Sequence, residues 1–223
     1  MNQDELKQAA ARAALEELHE GMLLGVGTGS TVNHFIDLLG RHQPRLAGVV
    51  SSSAVSTERL RAIGLEPRTL NETGDLDLYI DGADEATRQG HLIKGGGGAL
   101  TREKIIAAAS RRFVCIVDDS KLKGVLGDFP LPVEVIPMAR AYISRELVKF
   151  GGRPEWRKGF ITDNGNEILD VHGLDLLNAA EMERRLNQLA GIVTVGLFTR
   201  RPADVLLIAS ARGVERLEPA RRP

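Results

Sequence analysis

Short apolar runs recur through the first half of the chain: Met22–Val26, Ala47–Val50, Leu76–Ile80 and Phe113–Val117. Each is separated from the next by a segment that reads as a helix. Runs this short need cover on both faces, and strands alternating with helices give parallel neighbours. The fold class expected is therefore α/β, with a mostly parallel sheet covered by helices on both faces.

The helices follow from apolar spacing. Leu6, Ala9, Ala10, Ala13, Ala14 and Leu18 form a stripe that predicts a helix over Asp4–Glu20, stopped by Gly21. Val32, Phe35, Ile36 and Leu39 do the same after Gly27–Ser30, and further helices are predicted over Val55–Ile63 and Ala99–Ser110. Glu66–Leu70 and His91–Ile93 are weaker strand candidates. After Gly127 the pattern changes. Leu131–Ile136 reads as a strand and Ala139–Phe150 as a helix. Asn164-Gly165-Asn166, between Phe160–Asp163 and Glu167–Val171, carries the Asn-Gly signal of a β-hairpin. A helix over Ala180–Leu189 and a strand over Ile192–Phe198 complete a smaller inserted α+β domain with an antiparallel sheet, placed at 129–200. Residues 1–128 and 201–223 form the α/β domain, to which Ala203–Ala209 returns.

Composition excludes several function classes. Twenty-nine bases balance 30 acids in 223 residues, which leaves no electrostatic footprint for nucleic acid. Arg216, Arg221 and Arg222 near the C-terminus read as a solvated tail. No stretch approaches the length of a membrane span, and Met1–Lys7 opens a helix rather than a signal peptide. The single cysteine, Cys115, lies in an apolar run and suits a reducing compartment. A soluble, cytoplasmic protein is expected. The five histidines show no metal-ligand spacing, so a histidine or thiolate zinc site is not expected.

Chemistry concentrates between residues 81 and 103. Asp81-Gly82-Ala83-Asp84-Glu85 falls where the strand Leu76–Ile80 ends, and open α/β sheets bind their ligands at strand C-termini. Lys94-Gly95-Gly96-Gly97-Gly98 and Glu103 follow. Clustered carboxylates can hold Mg²⁺, form a solvated turn, or carry out acid–base work. Lys94 argues against the metal, because an ammonium competes for its place and can itself stabilise an oxyanion. Glu103 is the candidate base, although its place in a helix's first turn equally fits a capping glutamate. Gly25–Thr31 forms a second site element. Glycines there bring backbone close to a ligand, and the next helix offers free N–H groups to a phosphate. Thr28, Ser30 and Thr31 add hydroxyls. A dinucleotide reading is disfavoured, since Ser30 replaces the third glycine and no acid lies between Leu38 and Thr57. Ser51–Ser53 reads as a helix cap, and Lys7 and Lys121 as lysines that either serve an anion or sit on solvated surface.

These blocks, in order, resemble ribose-5-phosphate isomerase, type A. The resemblance rests on GVGTGST (Gly25–Thr31), SSS (Ser51–Ser53), DGADE (Asp81–Glu85), KGGGGALTREK (Lys94–Lys104), DDSK (Asp118–Lys121), LPVEVIPMA (Leu131–Ala139), GGRPEWR (Gly151–Arg157), TDNGNEILD (Thr162–Asp170) and GIVTVGLF (Gly191–Phe198). It implies interconversion of ribose 5-phosphate and ribulose 5-phosphate in the non-oxidative pentose phosphate pathway, with no metal or organic cofactor, by a homo-oligomer, a dimer being favoured. By matching motif, Glu103 corresponds to the proton-shuttling base, Asp81 and Asp84 to acids beside the sugar, and Lys94 to the lysine at the reacting oxygens. Thr28, Gly29, Ser30 and Thr31 match the substrate loop. Gly82, Ala83, Gly95, Gly96 and Gly97 fall in the substrate-contacting motifs, Lys121 matches a substrate lysine, and Lys7 one near the phosphate. Gly98 departs from the pattern, alanine being common there. Both residues are small, so no loss of activity is expected.

Two other classes compete. A non-catalytic sugar-phosphate sensor would carry a helix-turn-helix, which the first twenty residues lack. Acyl or CoA transfer with a glutamate nucleophile would use a long acyl channel, which a phosphate-sized loop suits poorly.

Overall fold

The computed structural model describes residues 1–42 and 44–220. In chain order, α1 (Gln3–Ala14) precedes β1 (Leu23–Val26), α2 (Ser30–His42), β2 (Gly48–Ser51), α3 (Ala54–Ala62) and the single turn α4 (Leu70–Thr73). Then come β3 (Leu76–Asp81), β4 (Glu85–Ala86), β5 (Leu92–Ile93), α5 (Leu100–Ala108) and β6 (Ser110–Asp118). The middle of the chain supplies β7 (Leu131–Val135), α6 (Arg140–Lys149), β8 (Arg153–Trp156), β9 (Glu167–His172), α7 (Ala179–Leu186) and β10 (Ile192–Val195). The chain returns through β11 (Leu197–Phe198), β12 (Val205–Ser210) and β13 (Gly213–Leu217).

The principal sheet has the order β13-β12-β6-β3-β1-β2, parallel except for β13. Strand alternation divides its side chains between two cores. Leu24, Val26, Leu78, Ile80, Val114 and Ile116 pack with Ala10, Ala14, Phe35 and Ile36 of α1 and α2. Tyr79, Phe113, Cys115, Leu206 and Ile208 pack with Ile106 and Ala107 of α5 on the other face. Both faces are covered, as the apolar runs require. The chain leaves β1 toward β2 on one side, and leaves β3 toward β6 on the other. That reversal makes a switch point between β1 and β3, where open sheets have their crevice.

A four-stranded antiparallel sheet, β10-β7-β9-β8, has its own core of Leu131, Val133, Ile143, Leu147, Leu169 and Leu186. In the small sheet β11-β5-β4, β4 and β5 come between β3 and β6 of the principal sheet, and β11 joins β10 to β12.

Several local expectations are corrected. α1 ends at Ala14 and continues only as a 3₁₀ turn over Leu15–Glu17, short of Glu20. Glu66–Leu70 is not a strand. Thr69 and Glu72 form a capping box that turns the chain into α4. The Asn-Gly turn exists, with the Gly165 N–H donating to Thr162 O, but Phe160–Asp163 is not a strand. β9 pairs instead with β8 and β7. The hydroxyl of Thr162 and the amides of Asn164 and Asn166 all donate to the buried Glu134 carboxylate, and that clamp replaces the ladder. The run Ile192–Phe198 is split at Gly196 between two sheets. Arg216 is not in a loose tail. It lies on β13 and pairs with Glu17 and Glu218, while Arg221 and Arg222 lie outside the described residues.

Candidate active site

A cleft of about 120 Å³ opens at the switch point. One wall is the loop after β1 and the start of α2, with Thr28, Gly29, Ser30 and Thr31, joined by Lys7 from α1 and Lys121 from the 3₁₀ turn after β6. The other is made by Gly82, Ala83 and Asp84 after β3, by Lys94–Gly97, and by Glu103 of α5. The residues that the resemblance assigns to substrate or catalysis all lie on these walls except Asp81, which sits beneath them.

Asp81 is 0% exposed. Its carboxylate accepts from the Thr28 N–H at 3.0 Å, the Gly82 N–H at 2.7 Å and the Tyr79 hydroxyl. It also lies 2.8 Å from Lys94 Nζ. Four donors surround it, and it ties the β1 loop to the β3 loop. Gly27 permits the arrangement, since a Cβ there would lie 1.9 Å from Asp81 Cγ. Tyr79 went unnoticed in the sequence because it reads simply as an apolar strand residue.

Lys94, 3% exposed, donates to Gly82 O at 2.6 Å and lies 3.4 Å from Glu103 Oε2. Burial works against its charge, but Asp81 and Glu103 outweigh burial and hold its pKa above the ordinary lysine range. Glu103 is only 2% exposed, yet Oε2 has no hydrogen-bond donor in proper geometry among the described residues. It is not a capping glutamate: it is the fourth residue of α5, and its carboxylate faces Lys94. Burial first, and the Asp81 charge second, push its pKa up to about 8, with Lys94 opposing them. A buried carboxylate whose charged contact is the Lys94 ammonium, and whose pKa is raised toward neutrality, is equipped to take and return a proton.

Asp84 Oδ2 accepts from the Gly96 N–H at 2.7 Å and fixes the glycine loop. Glu85 leaves the cluster altogether, accepting from the N–H groups of Gly127 and Phe129. The hydroxyl of Thr28 is likewise engaged, by Ser53 at 2.9 Å and Ser56 at 3.2 Å, and Ser53 caps α3 as expected. Anion contacts from this loop therefore fall to Ser30, Thr31 and the free N–H groups of α2. Among the described residues neither Lys7 nor Lys121 has a carboxylate partner, which leaves two cations facing the cleft.

Two buried acids that sequence reasoning passed over hold α5 in place. Thr101 donates to Glu134, and Lys104 Nζ to Glu183 at 2.6 Å, so the residues flanking Glu103 are anchored on both sides. An acid inside the apolar run Leu131–Ile136 was the available signal for Glu134. Gly98 also differs from expectation. It has φ +81°, and an added Cβ would lie 2.2 Å from Phe160 Cζ. Glycine and alanine are thus not interchangeable here. Gly98→Ala should lower Tm by several degrees, and Phe160→Ala in the same chain should recover part of the loss. An unchanged Tm in the single variant would show that the ring simply moves aside.

Among the described residues no group of three His, Cys, Asp or Glu side chains is placed to hold a metal ion, and no helix is long and apolar enough to cross a membrane.

Comparison with known proteins gives a consistent result. The family described as ribose 5-phosphate isomerase A (phosphoriboisomerase A) matches residues 48–213. A crystal structure of ribose 5-phosphate isomerase A from Neisseria gonorrhoeae is 45% identical, covers 99% of each chain and superposes with a TM-score of 0.97. The corresponding protein from Methanocaldococcus jannaschii is 36% identical over 97% of this chain and 100% of that one, with a TM-score of 0.91. A D-ribose-5-phosphate isomerase in complex with phospho-erythronic acid is also 36% identical, over 98% of this chain and 100% of its own, with a TM-score of 0.94. On sequence and fold alike, the chain belongs to the ribose 5-phosphate isomerase A family.

Proposed function

We propose that the chain interconverts D-ribose 5-phosphate and D-ribulose 5-phosphate through an enediolate, with Glu103 as the base. The observation that carries this reading is the Glu103 carboxylate: buried, lacking a donor on Oε2, and 3.4 Å from the Lys94 ammonium at the cleft. Glu103 removes the proton from C2 of the open-chain aldose and returns it to C1. The negative charge that forms on the carbonyl oxygen is stabilised by Lys94 and loop N–H groups. Transfer of a proton from the C2 hydroxyl to that oxygen completes the ketose. Asp81 holds Lys94 and the β1 loop in place, and Asp84 holds the glycine loop. The phosphate sits at the α2 N-terminus, between Ser30, Thr31, Lys7 and Lys121. Phospho-erythronic acid, held by a relative, combines a phosphate with a planar, negatively charged carboxylate, which resembles the planar, charged C1–C2 end of a pentose-phosphate enediolate. The family match supports the isomerase over a sugar-phosphate sensor. A coupled assay for ribulose 5-phosphate tests this directly, and binding of ribose 5-phosphate without turnover would favour the sensor.

Two further outcomes follow. The double variant Ser30→Ala/Thr31→Ala should raise KM several-fold while kcat changes little, because the phosphate does not react. An unaltered KM would remove the phosphate cradle from that loop. Dialysis against EDTA should leave turnover unchanged, since Lys94 occupies the position a cation would take between Asp81 and Glu103. Inactivation reversed by Mg²⁺ would restore the metal reading.

The finer assignments belong to the same proposal: action in the non-oxidative pentose phosphate pathway, a homodimer, a cytoplasmic location, and a division into an α/β unit (1–128 with 201–223) and an α+β unit (129–200). The separate core under the β7–β10 sheet supports that division.

A further inference from the structure

Arg157, just after β8 in the second unit, reaches the glycine loop of the cleft. Its Nε and Nη2 grip the two Asp170 oxygens at 2.8 and 2.5 Å. The remaining Nη1 donates to Gly95 O at 3.2 Å and to Gly96 O at 3.1 Å. The guanidinium also lies 5.4 Å from the centre of the Phe160 ring, which closes over Gly98. A bidentate carboxylate and a ring fix the arginine, and the arginine fixes two consecutive peptide planes.

Those planes decide where their N–H groups point. Each peptide is trans, so its N–H is directed opposite to its C=O. In the Gly95–Gly96 peptide the oxygen goes to Arg157 and the N–H goes to Asp84 Oδ2 at 2.7 Å. In the Gly96–Gly97 peptide the oxygen again goes to Arg157. The Gly97 N–H must then point away from Arg157, to the side that Asp84 occupies. No acceptor among the described residues bonds it, and Gly97 lines the cleft, facing Thr28.

We propose that Arg157, held by Asp170, is a positioning residue for the isomerisation: it turns the Gly97 N–H into the cleft as a second donor, beside Lys94, to the oxygen that gains charge. This rests on the assignment of Glu103 and Lys94 to the reacting end. It also gives the second unit a part in the chemistry, since Arg157 directly follows β8 and Asp170 lies on β9.

The test is Arg157→Met, with Arg157→Lys beside it. In Arg157→Met, kcat should fall about 10- to 100-fold, short of the full loss of a donor, because the loop retains Asp84. KM for ribose 5-phosphate and inhibition by inorganic phosphate should stay within two-fold. Inhibition by phospho-erythronic acid should weaken in step with kcat. Arg157→Lys keeps the charge but not the fork, and should recover part of kcat. Should Arg157→Met fail to fold, the same three measurements on Arg157→Lys decide the matter. A kcat at the wild-type level overturns the proposal. So does a parallel loss of kcat, phosphate affinity and Tm, the mark of a merely structural ion pair. Because Glu103→Gln tests the base independently, an inactive Glu103→Gln beside a fully active Arg157→Met would sink the clamp and leave the reacting end standing.

Discussion

Glu103→Gln should lower kcat by at least about 10²-fold while KM moves by no more than a few-fold. Glutamine keeps the volume of the side chain and an oxygen toward Lys94, but it cannot carry the proton between C2 and C1. The loss therefore appears in the transition state and not in substrate binding. The same variant has a stability signature. The folded-state pKa of Glu103, about 8, lies above the ordinary carboxyl value of 4.5. Stability associated with its neutral form is fully present below that ordinary value and is lost as pH rises through the folded value. Glutamine stays neutral throughout, so the variant should gain in Tm relative to the parent between about pH 5 and pH 8.5. Steady-state kinetics with thermal melts at both pH values check the two outcomes together. Near-normal turnover would refute the base, and a Tm difference that narrows with rising pH would refute its burial as the cause of the raised pKa.

Lys94→Met should be nearly as damaging, with kcat reduced by about 10²- to 10³-fold, the scale for loss of one oxyanion donor. Its pH profile distinguishes an electrostatic role from a packing role. Lys94 favours the ionised form of Glu103, whereas Asp81 disfavours it. The base must be ionised to act, so the acid limb of kcat/KM in the parent enzyme should lie well above the ordinary carboxyl value of 4.5. Removing the ammonium should move that limb to still higher pH, and Asp81→Asn should move it lower. A limb that stays in place in both variants, or the reverse order of shifts, would disconnect Glu103 from its charged neighbours. Asp81→Asn carries the test alone if Lys94→Met, with its two buried acids unbalanced, does not fold.

How much of this was legible beforehand depended on distance along the chain. The strand ends at Val26 and Asp81, the start of α2 at Ser30 and the helix carrying Glu103 follow from short-range apolar spacing and glycine placement. They locate the cleft because strand C-termini at a switch point are where such sheets open. The errors at the site and around it have a common source. Thr162, Asn164 and Asn166 looked like one arm of a hairpin, and their side chains instead satisfy Glu134, some 30 positions away. Glu85 looked like a third site acid and is consumed by N–H groups more than 40 positions on. Arg157 fell in a matching block but carried no signal of a part in the cleft, since its partners Gly95 and Gly96 are about 60 positions earlier.

The order of elements, the family and the set of acids, lysines and glycines at the strand ends were thus determined by the sequence by itself, because periodicity and motif spacing are local properties. Only the tertiary structure decided which of four neighbouring carboxylates keeps a buried oxygen without a hydrogen-bond donor. Asp81, Asp84 and Glu85 each receive donors brought from distant segments, and Oε2 of Glu103 receives none. Proton affinity in a buried site is set by burial and by the charges and donors in contact with the group, and those contacts exist only once the chain has closed on itself.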